Sequence, residues 1–104
     1  LAGFGVAWLE RGQPRLALAP LERALTLQKG VETEAERADT ELALARSLSA
    51  LSRDRARPLA LARRARDYYA SHPLGVRRAR QLARAEAWLR VHGWGTRSVV
   101  VKRS

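Results

Sequence analysis

The chain of 104 residues has no cysteine, which excludes a disulfide framework and any metal site built from thiolates. It has no apolar run near the ~20 residues of a membrane-spanning helix, and no basic and then apolar signal segment opens it. We therefore expect a protein that folds in water, in the cytoplasm, and that needs no cofactor or metal.

Only one Phe occurs, and β-branched residues are scarce before the Ser-Val-Val-Val run at 98–101. Ala and Leu dominate instead, and because both have high helix propensity the composition predicts an all-α protein. The length suits one domain. The chain begins at Leu1, inside what reads as a helix, so we expect it to be a segment of a longer protein.

Acidic residues are few in the second half of the chain. Residues 1–52 contain six Lys or Arg and seven Asp or Glu, whereas residues 53–104 contain fourteen and three, which accounts for the formal net charge of +10. The excess is consistent with an acidic partner or with nucleic acid. Since eighteen of the twenty basic residues are Arg, the codon bias of a GC-rich bacterial genome explains it equally well.

The spacing of apolar residues and of stop signals predicts five helices. They run from about 2 to 11, from 14 to just before 30, from 34 to about 51, from 55 to about 71 and from 76 to 92. Thr33 and Glu36 have the spacing of a capping box, and Asp54 is the predicted N-cap of the fourth helix. His72 and His92 fall at helix ends, where imidazole can bond the last carbonyls.

Short phrases recur at a constant distance. Leu-Ala-Leu-Ala at 16–19 returns 43 residues later at 59–62, and Val-Ala-Trp-Leu at 6–9 is echoed at 49–52. Internal repetition at such a period is typical of stacked helical arrays, because one helix pair cannot bury its apolar face alone. Arrays of this kind bind other molecules and rarely catalyse.

Five residues of the first pair resemble the tetratricopeptide repeat (TPR) pattern: Gly5, Trp8, Gly12, Ala17 and Ala24. The resemblance implies antiparallel helix pairs stacked as a TPR-like solenoid of about five helices, two pairs and a closing helix. The large apolar positions of the pattern are then filled by Phe4 and Leu21. The second pair is a degenerate copy, with Leu48, Ala60 and Asp67 at the positions of Gly5, Ala17 and Ala24.

The same resemblance divides the chain into a helical repeat domain at 1–95 and a flexible tail at 96–104. Repeat one then occupies 1–30, the degenerate repeat two 31–73, and the closing helix 74–95. The core is predicted to include Trp8 and Trp88. Because fewer than three repeats leave unfinished end faces, we also expect self-association.

Phrases such as Leu-Ala-Leu-Ala-Arg-Arg-Ala-Arg at 59–66 and Ala-Trp-Leu-Arg-Val-His at 87–92 are similar to the C-terminal repeat regions of bacterial eukaryotic-like Ser/Thr protein kinases. The chain itself has no glycine-rich phosphate loop, no His-Arg-Asp and no Asp-Phe-Gly. Neither histidine has a carboxylate or second ligand at useful spacing. We therefore expect no catalytic residue in this segment, although its parent chain would be a kinase.

The resemblance favours a scaffold for protein–protein interaction, whose concave face binds a protein or peptide. The positive net charge of the chain favours an acidic partner. The predicted exposed positions of that face are Glu10, Arg37, Glu41 and Arg90. The alternative is a nucleic-acid-binding module with Tyr68, Tyr69 and Trp94 as stacking surfaces. Its basic patch would consist of Arg63, Arg64, Arg66, Arg77, Arg80 and Arg84. Arginines on a solvated helix surface would give the same pattern.

Overall fold

The computed structural model describes residues 2–51, 55–72 and 75–94, and this part of the chain is all-α, as predicted. Its helices are α1 (Ala2–Glu10), α2 (Pro14–Leu27), α3 (Glu34–Ala50), α4 (Ala56–Ser71) and α5 (Gly75–Leu89). A 3₁₀ turn at Val31–Thr33 precedes α3, and a π-helical turn at Arg90–Trp94 follows α5. These residues contain no strand, and no helix among them has the length and apolar character needed to cross a membrane.

The helix ends agree with the predicted stop and start signals in the first pair. Gly12 has a φ of 79°, in the left-handed region that favours glycine, and Pro14 occupies the first turn of α2, where no backbone N–H is required. The predicted N-cap Asp54 and the predicted tail at 96–104 lie outside the described residues.

The predicted capping box at the start of α3 is wrong. The Thr33 hydroxyl donates to the Gly30 carbonyl at 2.9 Å and makes no capping bond to the helix. The physical reason is the 3₁₀ turn before α3, which brings the carbonyl three residues back within reach of the hydroxyl. The acidic residues Glu34 and Glu36 still occupy the first turn of α3, where the helix dipole favours negative charge.

The first two helices approach closely at Gly5. A Cβ atom on this residue would overlap the Leu21 side chain and lie 3.3 Å from the Ala17 carbonyl oxygen. Ala17, Leu21 and Ala24 are each at most 1% exposed, so α2 turns a small–large–small stripe toward this contact. This is the arrangement of small and large residues that the repeat pattern predicted.

The middle of the fold is α3, which packs against both α2 and α4 and also contacts α1. Its buried apolar residues, among them Leu42, Leu44 and Leu48, contribute more to the described core than those of any other helix. Two buried hydroxyls, on Thr40 and Ser47, donate to carbonyls one turn back at 2.9 and 3.0 Å. This helix is therefore buried over a broad face, and its two buried hydroxyls are satisfied within the helix.

The constant 43-residue correspondence does not extend into α4. Ala60, Arg64 and Asp67 are exposed, although they stand 43 residues after the buried Ala17, Leu21 and Ala24. The buried residues of α4 are Pro58, Leu61, Ala62, Ala65 and Tyr69. Leu and Ala alternate in both α2 and α4. Aligning identical residues of the two helices therefore selects a face of α4 that is not the buried one.

The aromatic residues of α1 are less buried than predicted. Phe4 is 70% exposed, and Trp8 is half-buried against the core, as is Trp88 in α5. The prediction that Phe4 fills an apolar position inside the first pair is therefore wrong, because no helix in the described residues covers that side of α1. Tyr69, in contrast, is 1% exposed.

Replacing Gly5 with Ala should destabilise the fold, whereas Gly3→Ala in the same helix should not. The Gly5 Cβ would overpack Leu21, with a net cost of about 1–2 kcal/mol. At Gly3 nothing lies within 4 Å, so the higher helix propensity of Ala should add up to about 1 kcal/mol. Urea unfolding of both variants measures the difference, and equal shifts of the same sign would show that α1 does not dock on α2 as described.

Candidate functional site

A groove of about 380 Å³ lies between α1, α3 and α5 and reaches Tyr69 on α4. Four arginines line it, and we call it the arginine groove. They are Arg46 from α3 and Arg77, Arg80 and Arg84 from α5. The first helix of each pair is where the repeat resemblance places the concave face.

A half-buried hydrogen-bond network forms the floor of the arginine groove. Asp39 Oδ1 on α3 accepts a bond of 2.6 Å from the Tyr69 hydroxyl and one of 2.7 Å from Gln81 Nε2. Arg77 lies 4.0 Å from Asp39 Oδ2. Burial, the bond to Asp39 and the charge of Asp39 raise the pKa of Tyr69, so the phenol stays a protonated donor at physiological pH. One carboxylate thus joins α3, α4 and α5.

The arginines of α5 follow one face of the helix because they are spaced three and four residues apart. Arg77, Arg80 and Arg84 are all exposed, and Arg46 is half-exposed across the groove. Within the described residues, no salt bridge involves Arg46, Arg80 or Arg84. The acidic residues that line the groove are Glu10 and the already bonded Asp39, so the groove has a net positive charge.

The four residues predicted to bind a protein partner do not meet at one site. Glu10 lines the arginine groove, and Arg90 is exposed in the turn after α5. Arg37 donates to the Gln28 carbonyl at 3.1 Å and is half-buried. The predicted exposure of Glu41 is wrong: its side chain is 3% exposed and lies 3.5 Å from Arg64.

The six arginines of the predicted basic patch divide into two groups. Arg77 lies beside Asp39 and Arg64 beside Glu41. Asp39 and Glu41 are two residues apart, and so ~200° apart around α3. Arg64 of α4 and Arg77 of α5 therefore contact different sides of α3, and the arginines of α4 do not line the groove. On α4, Arg66 also pairs with the adjacent Asp67 at 3.2 Å, and Arg63 is half-buried.

The aromatic rings that were predicted as stacking surfaces are already engaged, as far as the structure describes them. Tyr69 is buried, and the Tyr68 ring stacks on His72 with centroids 4.2 Å apart while Arg78 lies 5.2 Å over it. The side chain of Trp94 lies outside the described residues.

The histidine prediction is confirmed. In each case Nδ1 lies within hydrogen-bond distance of the carbonyl four residues back, at 3.0 Å for His72 and 2.9 Å for His92. In the described part of the chain, no group of three or more His, Asp or Glu is placed to hold a metal ion.

The sequence analysis missed three members of the groove: Arg46, Asp39 and Gln81. A helical wheel of α3 carries the signal for two of them, since Asp39, Leu42, Ala43 and Arg46 fall on one stripe. Nothing in the sequence indicates that Tyr69 and Gln81, 30 and 42 residues away, donate to the same carboxylate.

Two carboxylates outside the groove have pKa values shifted in opposite directions. Burial raises the pKa of Glu41, and the nearby Arg64 and Arg37 offset this only in part. The two-pronged bond from Arg57, at 2.6 and 2.8 Å, lowers the pKa of Glu22 and joins α4 to α2. Glu22 and Arg57 are both about 40% exposed, at 42% and 43%.

Comparison of the chain with known proteins gave no match to a family model, to a curated protein or to a solved structure.

Removing the Tyr69 hydroxyl should weaken the fold through the Asp39 network. Tyr69→Phe leaves the Asp39 carboxylate without one of its two donors, at a cost of about 1.5–3 kcal/mol for a hydrogen bond to a charged group. Tyr68→Phe is the matched control, since no described residue bonds the Tyr68 hydroxyl, and it should change the free energy of unfolding little. Urea denaturation compares the two variants, and equal effects would show that the Asp39 network does not stabilise the fold.

Glutamine at Glu41 and at Glu22 should shift the melting temperature in opposite directions at pH 7. The folded state holds the Glu41 proton more tightly than the unfolded state, so the ionised carboxylate opposes folding above its raised pKa, and Glu41→Gln should raise Tm. Glu22 stabilises when ionised, and its contribution is lost as the pH falls through its lowered pKa. Glu22→Gln should therefore lower Tm at pH 7. The free energy of unfolding should fall by no more than about 1 kcal/mol, because the Glu22–Arg57 pair is exposed.

Thermal melts followed by circular dichroism at pH 7, 4 and 3 test the two variants. The Glu41→Gln difference should vanish by pH 4, where the native carboxyl takes up its proton, and the Glu22→Gln difference should shrink below that. Shifts of the same sign for both variants at pH 7 would contradict the assignment.

Proposed function

We propose that this chain is a protein-binding scaffold whose arginine groove holds an acidic segment of another protein. The observation that carries the proposal is the set of Arg46, Arg80 and Arg84, which lie around one groove without a salt bridge in the described residues. A guanidinium binds a carboxylate through two parallel N–H donors, so each is ready to receive one acidic side chain.

The spacing of the arginines suits an extended segment. Residues three and four apart on α5 are separated by ~4.5 and ~6 Å along its axis. In an extended peptide, side chains on the same side recur every ~6.6 Å. A segment with Asp or Glu at every second position would therefore place successive carboxylates near Arg80 and Arg84. The positive field of the groove would also speed their encounter.

A protein ligand suits the groove better than nucleic acid does. The described tyrosines offer no free ring beside the arginines, and the arginines of α4 do not line the groove. Stacking on open aromatic rings supplies much of the affinity for single strands. Nucleic acid remains the competing function, because guanidinium groups attract phosphate as well as carboxylate.

The wider context belongs to the same proposal. We propose a TPR-like segment of a larger bacterial protein, such as a Ser/Thr protein kinase, in the cytoplasm. This proposal is supported by the close packing of Gly5 with Ala17 and Leu21. It is also supported by the packing of each described helix mainly on the helices next to it along the chain.

Titration of a fluorescent twelve-residue peptide with Glu at alternate positions tests the groove. Arg80→Glu combined with Arg84→Glu should weaken binding at least tenfold, because two attractive pairs become repulsive. The matched control is Arg15→Glu with Lys29→Glu, which makes the same charge change at two exposed positions outside the groove. It should leave the affinity within about twofold.

A peptide with Gln in place of Glu and a twelve-nucleotide single strand complete the experiment. The Gln peptide should not bind. If the two double variants weaken peptide binding equally, net charge and not the groove is responsible. If the single strand binds and the peptide does not, the nucleic-acid function replaces the proposal.

A further inference from the structure

Glu10 adds one unpaired negative charge to the arginine groove. It is the last residue of α1, it is exposed, and it lines the groove together with Val6 of the same helix. The other acidic lining residue, Asp39, already accepts two hydrogen bonds. In the described part of the chain, no salt bridge involves Glu10. Its carboxylate is therefore available to a ligand.

The stability of α1 does not account for an acid at this position. Glu10 stands at the C-terminal end of the helix, where the partial negative charge of the last carbonyls opposes a carboxylate. The last turn of α1 contains no basic residue, and the guanidinium of the next residue, Arg11, lies 5.6 Å over the Trp8 ring. This end of α1 thus presents a negative potential to the groove.

Glu10 and the arginines of α5 belong to different walls of the groove. The helix α1 contacts α3, and the bond from Gln81 to Asp39 ties α5 to α3. Leu42 and Ala43 of α3 line the groove and are buried, so they belong to its floor. The groove therefore has an acidic group on its α1 wall and basic groups on its α5 wall.

An extended ligand in this groove meets both walls at once. Successive side chains of an extended segment point to opposite sides. When every second side chain is acidic and faces the arginines of α5, the side chains between them face α1. A Lys or Arg at one of these intervening positions can pair with Glu10, whereas an Asp or Glu there is repelled by it.

We infer that Glu10 is a specificity-determining residue of the arginine groove, and that it selects acidic segments with Lys or Arg between their acidic residues. This inference rests on the proposed function, because it concerns the same groove and deepens the description of its ligand. Arg46, Arg80 and Arg84 bind the acidic side chains, and Glu10 disfavours segments that are acidic on both sides.

Binding of two fluorescent twelve-residue peptides to the full chain and to its Glu10→Gln variant tests the inference. The Glu–Lys peptide alternates Glu with Lys, and the Glu–Gln peptide alternates Glu with Gln. Glu10→Gln should weaken binding of the Glu–Lys peptide about threefold, the size expected for one exposed ion pair. It should not weaken binding of the Glu–Gln peptide. The variant should fold as the wild type does, because Glu10 is exposed at a helix end that disfavours its charge.

Glu32→Gln is the matched control, since it removes the same charge at an exposed position outside the groove. It should change the affinities for the two peptides by the same factor. If Glu10→Gln also changes both affinities by one factor, the inference is overturned and the proposed function stands. A wild-type chain that binds the Glu–Gln peptide but not the Glu–Lys peptide would have the same meaning. If neither peptide binds the wild-type chain, the proposed function itself fails, and the inference fails with it.

Discussion

One carboxylate joins three of the described helices by hydrogen bonds. Asp39 on α3 accepts from Tyr69 on α4 and from Gln81 on α5, at 2.6 and 2.7 Å. The Tyr69 phenol is buried while the Asp39 carboxylate is 37% exposed, and the bond from Gln81 ties α5 to α3. The position of the α5 arginines, and with it the positive charge of the groove, depends on this network. The helix packing and the proposed ligand groove therefore share one residue, Asp39.

The first helix pair depends on close approach rather than on a polar network. Gly5 lets α1 settle against Leu21 and the Ala17 carbonyl, so α2 can bury its stripe of small residues. The result is a pair whose inner side is fully packed and whose outer side carries Phe4 and Leu27 in water. The second pair is built differently, with Tyr69 filling the space and polar bonds setting the orientation.

Local features of the chain were predictable, and features that need two helices were not. Apolar spacing, proline and glycine located the helices, and the histidine contacts followed from their place at helix ends. The exposure of Phe4 and the burial of Glu41 depend on which neighbour covers each face, which a helical wheel does not state. For the groove, the common face of the α5 arginines was predictable from spacing alone. That Arg46 lines the same groove depends on how α3 and α5 are placed around it, which the pattern of a single helix does not give.

The last described helix, α5, is a less firmly anchored wall of the groove than α3. It packs chiefly on α4 and fully buries only Ala85 and Leu89, whereas α3 buries nine residues. Local opening is easiest where little apolar surface is buried, so amide protons of α5 should exchange earlier than those of α3. A ligand that bridges Arg46 to the α5 arginines would tie this helix down. Ligand binding in the groove and the rigidity of α5 would then be thermodynamically coupled.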